Sequence, residues 1–470
     1  MANFDNVMKV IRIKLINKPG MLAMIADEIG ENQGNIGDVK VVRFGSRYLT
    51  RDIAVYAKSS DVIKCIVEKL NKKKNIKVIK VFDEVFEAHE GGLIKTKSKV
   101  KIDSTSALNK YFLPGVSRVA EVISKNKQKI YEYTNIGNTV AVVSNGTAVL
   151  NFSSCTTEST YAVIESLSAV LNELVDVSAV PLVIDSADKD VVIDVIKNVH
   201  KNYGVIILED ISSPDNIIIK EALNELETPI IDTNRYGNAI VTLAGLINIA
   251  KTEDVGLFDK KFGLLGYGGK ASGISKLLKA YGVENISSYD ISEEAINRMK
   301  EDGIEVEQSI NGLMQKCEVI LATSRVSGLI KFGMVRKGQI ILCLSQPKPE
   351  IKPEIAVKAG AKFASDSSIF NPLLSVPGVV RGTLDARAKD ISIEMMIAAA
   401  EKIASLAKAG DILPDVFDEE LHKEIAAVVK RTAVETGIGN LMEIELEEEN
   451  DRDAEDIFEN IKDINMWMSN

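Results

Sequence analysis

Histidine is almost absent from this chain: 470 residues contain only His89, His200 and His422. Chemistry that needs an imidazole base therefore has few candidates. Cysteine is nearly as scarce. Cys65, Cys155, Cys317 and Cys343 share no ligand-type spacing, which argues against a zinc site and suits a reducing, cytoplasmic compartment. No stretch approaches about 18 uncharged apolar residues, and the N-terminus lacks a secretory pattern, so no membrane span is expected. Long basic runs are missing too, since Lys72–Lys74 is short and reads as a solvated helix end. With a formal charge of −10, the chain is expected to have no nucleic-acid and no anionic-membrane partner. The remaining composition, 46% hydrophobic and 26% charged, is that of ordinary soluble protein, so function must be read from motifs. The length predicts two or three domains, each able to bury a core.

The stretch Phe262–Ile274 carries the first motif. Apolar residues lead into a Gly-x-Gly turn, and Ile274, Leu277, Leu278 and Tyr281 follow at helical spacing. A strand that turns tightly into a helix aims backbone N–H groups and the helix dipole at a pyrophosphate. Gly266 would make the turn, Gly268 would let the backbone approach the phosphates, and Gly269 continues the same turn. Ala271 falls where the third small residue belongs. A second apolar run ends at Asp290, 24 residues after Gly266, near the spacing at which a carboxylate receives a ribose hydroxyl. The alternative is a βαβ unit whose glycines serve packing alone.

Toward the N-terminus, Ile11, Ile13 and Leu15 alternate with Arg12 and Lys14, the period of a half-buried strand. Met21, Leu22, Ile25, Ala26 and Ile29 then recur at helical spacing. Strands over 39–44 and 53–57, a second helix and a strand over 76–82 complete a βαββαβ order. With Asn17-Lys-Pro-Gly-Met-Leu22 after the first strand, residues 8–86 resemble the ACT family of small regulatory domains. The resemblance implies a pocket for an amino-acid-like effector at Asn17, Pro19, Gly20 and Leu22, and a homodimer. A ferredoxin-like domain without a ligand is the other reading.

From His89 onward several motifs occur in one order: Leu113-Pro-Gly-Val116, the long run Tyr133–Val149, Leu208-Glu-Asp-Ile-Ser212, Gly237–Gly245, Gln346-Pro-Lys-Pro-Glu350 and Val376–Lys389. Together they resemble malic enzymes, which oxidise and decarboxylate malate with a dinucleotide and a divalent metal. The resemblance implies an α/β fold with a malic-enzyme-like catalytic lobe over 88–245 and an NAD-binding Rossmann lobe over 246–440. The C-terminal helices have the option of returning to the catalytic lobe. Residues 441–470, dominated by Glu and Asp, read as an acidic tail in which Trp467, the only tryptophan, is a candidate docking residue.

The family's proton-transfer and metal positions are altered. The tyrosine expected before the Pro-Gly turn is Phe112, which has no proton to give. The lysine position falls on Leu167, with Glu165 kept two places earlier. Glu209 and Asp210 stand where two ligands of Mg or Mn belong, but the third position is Asn234, and Asp232 is two residues off register. Asn145 and Gln346 replace other polar contacts; of a paired asparagine beside the cofactor, Asn371 survives and Pro372 replaces its neighbour. Three readings follow from the resemblance. One is an NAD(H)-binding relative with a degenerate site that holds a small carboxylate and acts in regulation or only weakly as an enzyme. Another is a working NAD-dependent malic enzyme. The third is a dehydrogenase of another small carboxylate, with Arg235 and Tyr236 lining a rebuilt pocket.

Overall fold

The computed structural model describes residues 7–149, 156–253, 256 and 259–439. It divides into two compact units, one ending at Lys97 and one beginning at Ser98. The acidic tail with Trp467, and Cys155, lie outside the described residues.

The first unit has strands β1 (Val7–Ile16), β2 (Asn35–Phe44), β3 (Tyr48–Ala57) and β4 (Ile76–Phe82), with helices Met21–Glu31 and Ser60–Lys72 between them. The strands pair antiparallel in the order β2-β3-β1-β4. Alternation in β1 sends Ile11, Ile13 and Leu15 under the helices, where Ile25, Ile29, Ile63, Ile66 and Leu70 close the core. On the other face Arg12 pairs with Asp52 at 2.7 Å. The expected βαββαβ order is the observed one.

The second unit contains two parallel sheets. One has the order β6-β5-β7-β8, formed by β5 (Thr139–Ser144), β6 (Ser178–Val183), β7 (Val205–Leu208) and β8 (Ile230–Asp232). The other comprises β9 (Phe262–Leu265), β10 (Ile286–Tyr289), β11 (Glu305–Val306), β12 (Val319–Ala322), β13 (Ile340–Cys343) and β14 (Phe363–Asp366). Its order is β11-β10-β9-β12-β13-β14, all parallel. The central strands are short continuous apolar runs, and every residue of β7, β9, β12 and β13 is buried, as helices on both faces require. The order reverses beside β9, and ligands of such sheets bind at the strand ends near that point.

The expected boundary at residue 245 lies inside the helix Asn238–Thr252, which is buried on all sides from Asn238 to Ile249. One apolar core runs from Val140 and Ile207 through Ala239–Ile249 to Phe262, Leu264, Val380 and Val429. A helix apolar on every face has no solvent side, so both sheets share it. Two of the last helices, Val376–Asp385 and Glu419–Glu435, pack against Thr157–Val175. Among the described residues, no helix is long and apolar enough to cross a membrane.

Candidate active site

The glycine turn is built as its spacing implies. Gly266 has φ 90, and a Cβ there would lie 2.9 Å from the Ser324 Cα, so neither the conformation nor the space admits a side chain. Gly268 faces open space, and the helix Gly269–Ala280 starts immediately after it. Asp290, just past β10, accepts the Tyr267 N–H at 2.7 Å on one oxygen and the Ser292 N–H at 2.9 Å on the other. Each oxygen keeps a lone pair for a ligand hydroxyl. Ala271 is fully buried and serves helix packing.

Glu209 and Asp210 follow β7, at its C-terminal end. Thr233 donates to Glu209, and Asn234 Nδ2 lies 3.3 Å from Asp210 Oδ1. Burial, aided by the Asp210 charge, pushes the Glu209 carboxyl up to about 8, and burial raises Asp210 as well. Two adjacent buried carboxyl groups resist ionising together. Asp232 is turned elsewhere: it accepts from Asn216 Nδ2 at 2.6 Å and from the Arg235 N–H at 3.1 Å, and burial pushes it up to about 6. Among the described residues, no group of three His, Cys, Asp or Glu side chains is placed to hold a metal. The donor set that fits a divalent ion is therefore Glu209, Asp210 and the Asn234 amide. That amide turns its nitrogen toward Asp210 and would have to flip to offer its carbonyl.

These elements line one cavity of about 520 Å³, which brings together Glu209, Asp210, Asn234, Gly266, Gly268, Gly269, Asp290, Gln346 and Pro372. Several expected residues do not line it. Phe112 is 58% exposed at the end of a helix, Thr105–Tyr111, that buries no residue. Leu167 packs against the apolar core, and Ala271 lies under its helix. Asn371 accepts the Leu373 N–H at 3.0 Å and so caps its own turn. Arg235 and Tyr236 are also corrected: Arg235 is 1% exposed with Nη2 on Ser272 Oγ at 3.2 Å, and Tyr236 packs on the core. Neither lines the cavity.

Two cations in the lining were missed by sequence reasoning. Lys270 Nζ donates to the Leu344 carbonyl at 2.8 Å, and burial, aided by the Arg325 charge, pushes its amine down to about 8. Its signal was present, a charged residue inside the glycine turn. Arg325 sits in a loop after β12 with no motif to mark it. A larger cavity of about 930 Å³, lined by Tyr131, Arg381, Lys430 and Gly439 among others, contains none of the expected site residues. In the first unit, Gly20 has φ 82 and starts the helix Met21–Glu31, Asn17 Nδ2 donates to the Gly45 carbonyl at 2.9 Å, and Leu22 is exposed.

No family model matches the chain. The NAD-dependent malic enzyme 1 of Bacillus subtilis is 37% identical over 431 residues, which cover 91% of this chain and 98% of that one. The chain belongs to the malic enzyme family. The NAD-dependent malic enzyme of Geobacillus stearothermophilus is 33% identical over 88% of this chain and 92% of its own length. Among solved structures, the malic enzyme of Pyrococcus horikoshii superposes with a TM-score of 0.72 at 29% identity, covering 76% of this chain and 91% of that one. The NAD-dependent malic enzyme of Thermotoga maritima gives 0.69 at 26% identity, over 73% of this chain and 98% of that one. The Bacillus match covers more of the chain than residues 98–470 supply, so this family member shares part of its first unit with that relative.

Proposed function

We propose that this malic enzyme family member binds NAD(H) at the Gly266–Gly269 turn and a small carboxylate in the cavity beside it, and decarboxylates malate only weakly. One observation carries the reading: Phe112 and Leu167 stand where the family resemblance places a tyrosine and a lysine, and neither side chain can transfer a proton. Oxidising a 2-hydroxy acid needs a base for the hydroxyl proton, and decarboxylation needs an acid to protonate the product enolate. NAD would supply the hydride acceptor when bound. Asp290 would accept a ribose hydroxyl, and the start of the Gly269–Ala280 helix would face the pyrophosphate. Glu209, Asp210 and Asn234 would hold Mg2+ or Mn2+, whose charge stabilises an enolate; one carboxylate fewer makes that site weak. The first unit is read as an ACT-type regulatory domain whose Asn17–Leu22 turn takes an amino-acid-like effector, in a homodimer. A working NAD-dependent malic enzyme is the second reading, favoured by the extent of the match to the Bacillus relative.

The test is NADH and pyruvate production at saturating malate, NAD and Mn2+. Loss of one acid–base group removes about 10²–10⁴-fold, so turnover is expected at roughly 0.1 s⁻¹ or below, against a typical value of about 10 s⁻¹. The triple variant Phe112→Tyr, Leu167→Lys, Asn234→Asp should exceed it. Wild-type turnover near about 10 s⁻¹ would establish the second reading instead.

A further inference from the structure

Arg325 occupies left-handed backbone, with φ 60, a conformation that a long side chain leaves unless its surroundings hold it. Those surroundings are specific. Its N–H donates to Ser345 Oγ at 2.9 Å, and Ser345 Oγ donates to Glu350 Oε1 at 2.6 Å. The same carboxylate oxygen accepts from the Ser324 N–H at 2.8 Å and from Ser324 Oγ at 2.9 Å. Glu350 is completely buried, and its Oε2 has no hydrogen-bond partner among the described residues. A buried carboxylate is costly to a fold, so its engagement with two successive loop segments marks a loop that is held in one shape.

The product of that arrangement is a cation on the cavity wall. Among the described residues, the Arg325 guanidinium makes no hydrogen bond or ion pair, and Arg325 lines the cavity together with Asp210. Lys270 lines the same cavity, and among the described residues these two are the only cations in its lining. Glu209 and Asp210 line it too, but they come from the other sheet.

We propose that Arg325, backed by Lys270, seats a carboxylate of the small molecule that this cavity binds, and so determines which ligand it takes. The planar guanidinium matches a carboxylate in a two-pronged fashion, while the lysine adds a point charge. The ligand class is a small dicarboxylate, one end held by these cations and the other facing Glu209 and Asp210, with or without a divalent ion. The inference rests on the proposed function, because it needs a carboxylate ligand beside the dinucleotide. The dinucleotide's own pyrophosphate is the other anion within the same chemistry.

Calorimetric titration of L-malate into NADH-saturated protein, and of NADH into ligand-free protein, separates the two. Arg325→Ala should weaken L-malate by about tenfold or more while NADH affinity stays within about twofold, and Arg325→Lys should recover part of the loss. Lys270→Gln should weaken L-malate less than Arg325→Ala. A loss confined to NADH in Arg325→Ala would hand the cation to the pyrophosphate and overturn the proposal. Wild-type malate binding that Arg325→Ala leaves unchanged would remove the seat alone. If NADH-loaded wild type binds neither malate nor oxalate, the seat and the proposed function fall together.

Discussion

Glu209 is the residue whose ionisation the fold most opposes. Its carboxyl is raised from 4.5 to about 8, first by burial and then by the charge on Asp210. The folded chain thus keeps a proton that the unfolded chain releases. Stability from this group is fully present below about 4.5 and is lost as pH rises toward about 8. Asp232, raised from 3.8 to about 6 by burial, acts with the same sign over a lower window. Melting temperature is therefore expected to fall between about pH 5 and about pH 8.5. Glu209→Gln, which stays neutral, should flatten that fall and be more stable than wild type at the upper end by about 1–3 kcal/mol. An unchanged slope in the variant would mean that the folded chain already carries Glu209 ionised. A second residue-level expectation concerns Asp290. Its carboxylate would accept a hydroxyl and repel a 2′-phosphate, so NAD(H) should bind more tightly than NADP(H). Equal affinities in parallel titrations would take that role away from Asp290.

At the scale of elements, the glycine turn and the βαββαβ unit were legible because each depends on local rules. Gly266 is forced by φ and by the approach of Ser324, and the turn offers no alternative residue. Gly266→Ala should therefore abolish measurable NADH binding and lower stability by about 1–3 kcal/mol; retained NADH affinity would show that the turn does not approach the cofactor. The strands of the first unit announced themselves by period-two alternation, as Ile11, Ile13 and Leu15 show. The Asn17–Leu22 turn is shaped by Gly20 at φ 82, so a thermal-shift screen of amino acids should find an effector for wild type that Gly20→Trp no longer answers. Identical responses in both would place the effector elsewhere. What could not be read were contacts made across long sequence separation. Arg325 gains its position from Ser345 and Glu350, 20 and 25 residues away, and no local spacing encodes that. Asn371 failed for the opposite reason: it looked like a ligand contact by its neighbourhood in sequence, and it is taken up by the Leu373 N–H two residues on. Arg235 belongs with Arg325, because its partner Ser272 lies 37 residues away.

For the second unit as a whole, the helix Asn238–Thr252 is the informative element. It is apolar nearly throughout, so its sequence carries no polar stripe to mark a lobe edge. Gly245 lies within it, and a Cβ there would come within 2.5 Å of the Phe370 ring. Gly245→Val should thus destabilise both sheets together, by about 1–3 kcal/mol or more, and hydrogen exchange should quicken in β7 and β9 alike. Faster exchange in β9 alone would show that the sheets unfold independently. The shared helix also restricts how the cleft can move. A hinge needs a few residues whose dihedral angles are free to swing, and the middle of a fully buried helix has none to give. Any opening of the cleft is therefore left to segments outside it, with Ala239–Ile249 as a fixed spine.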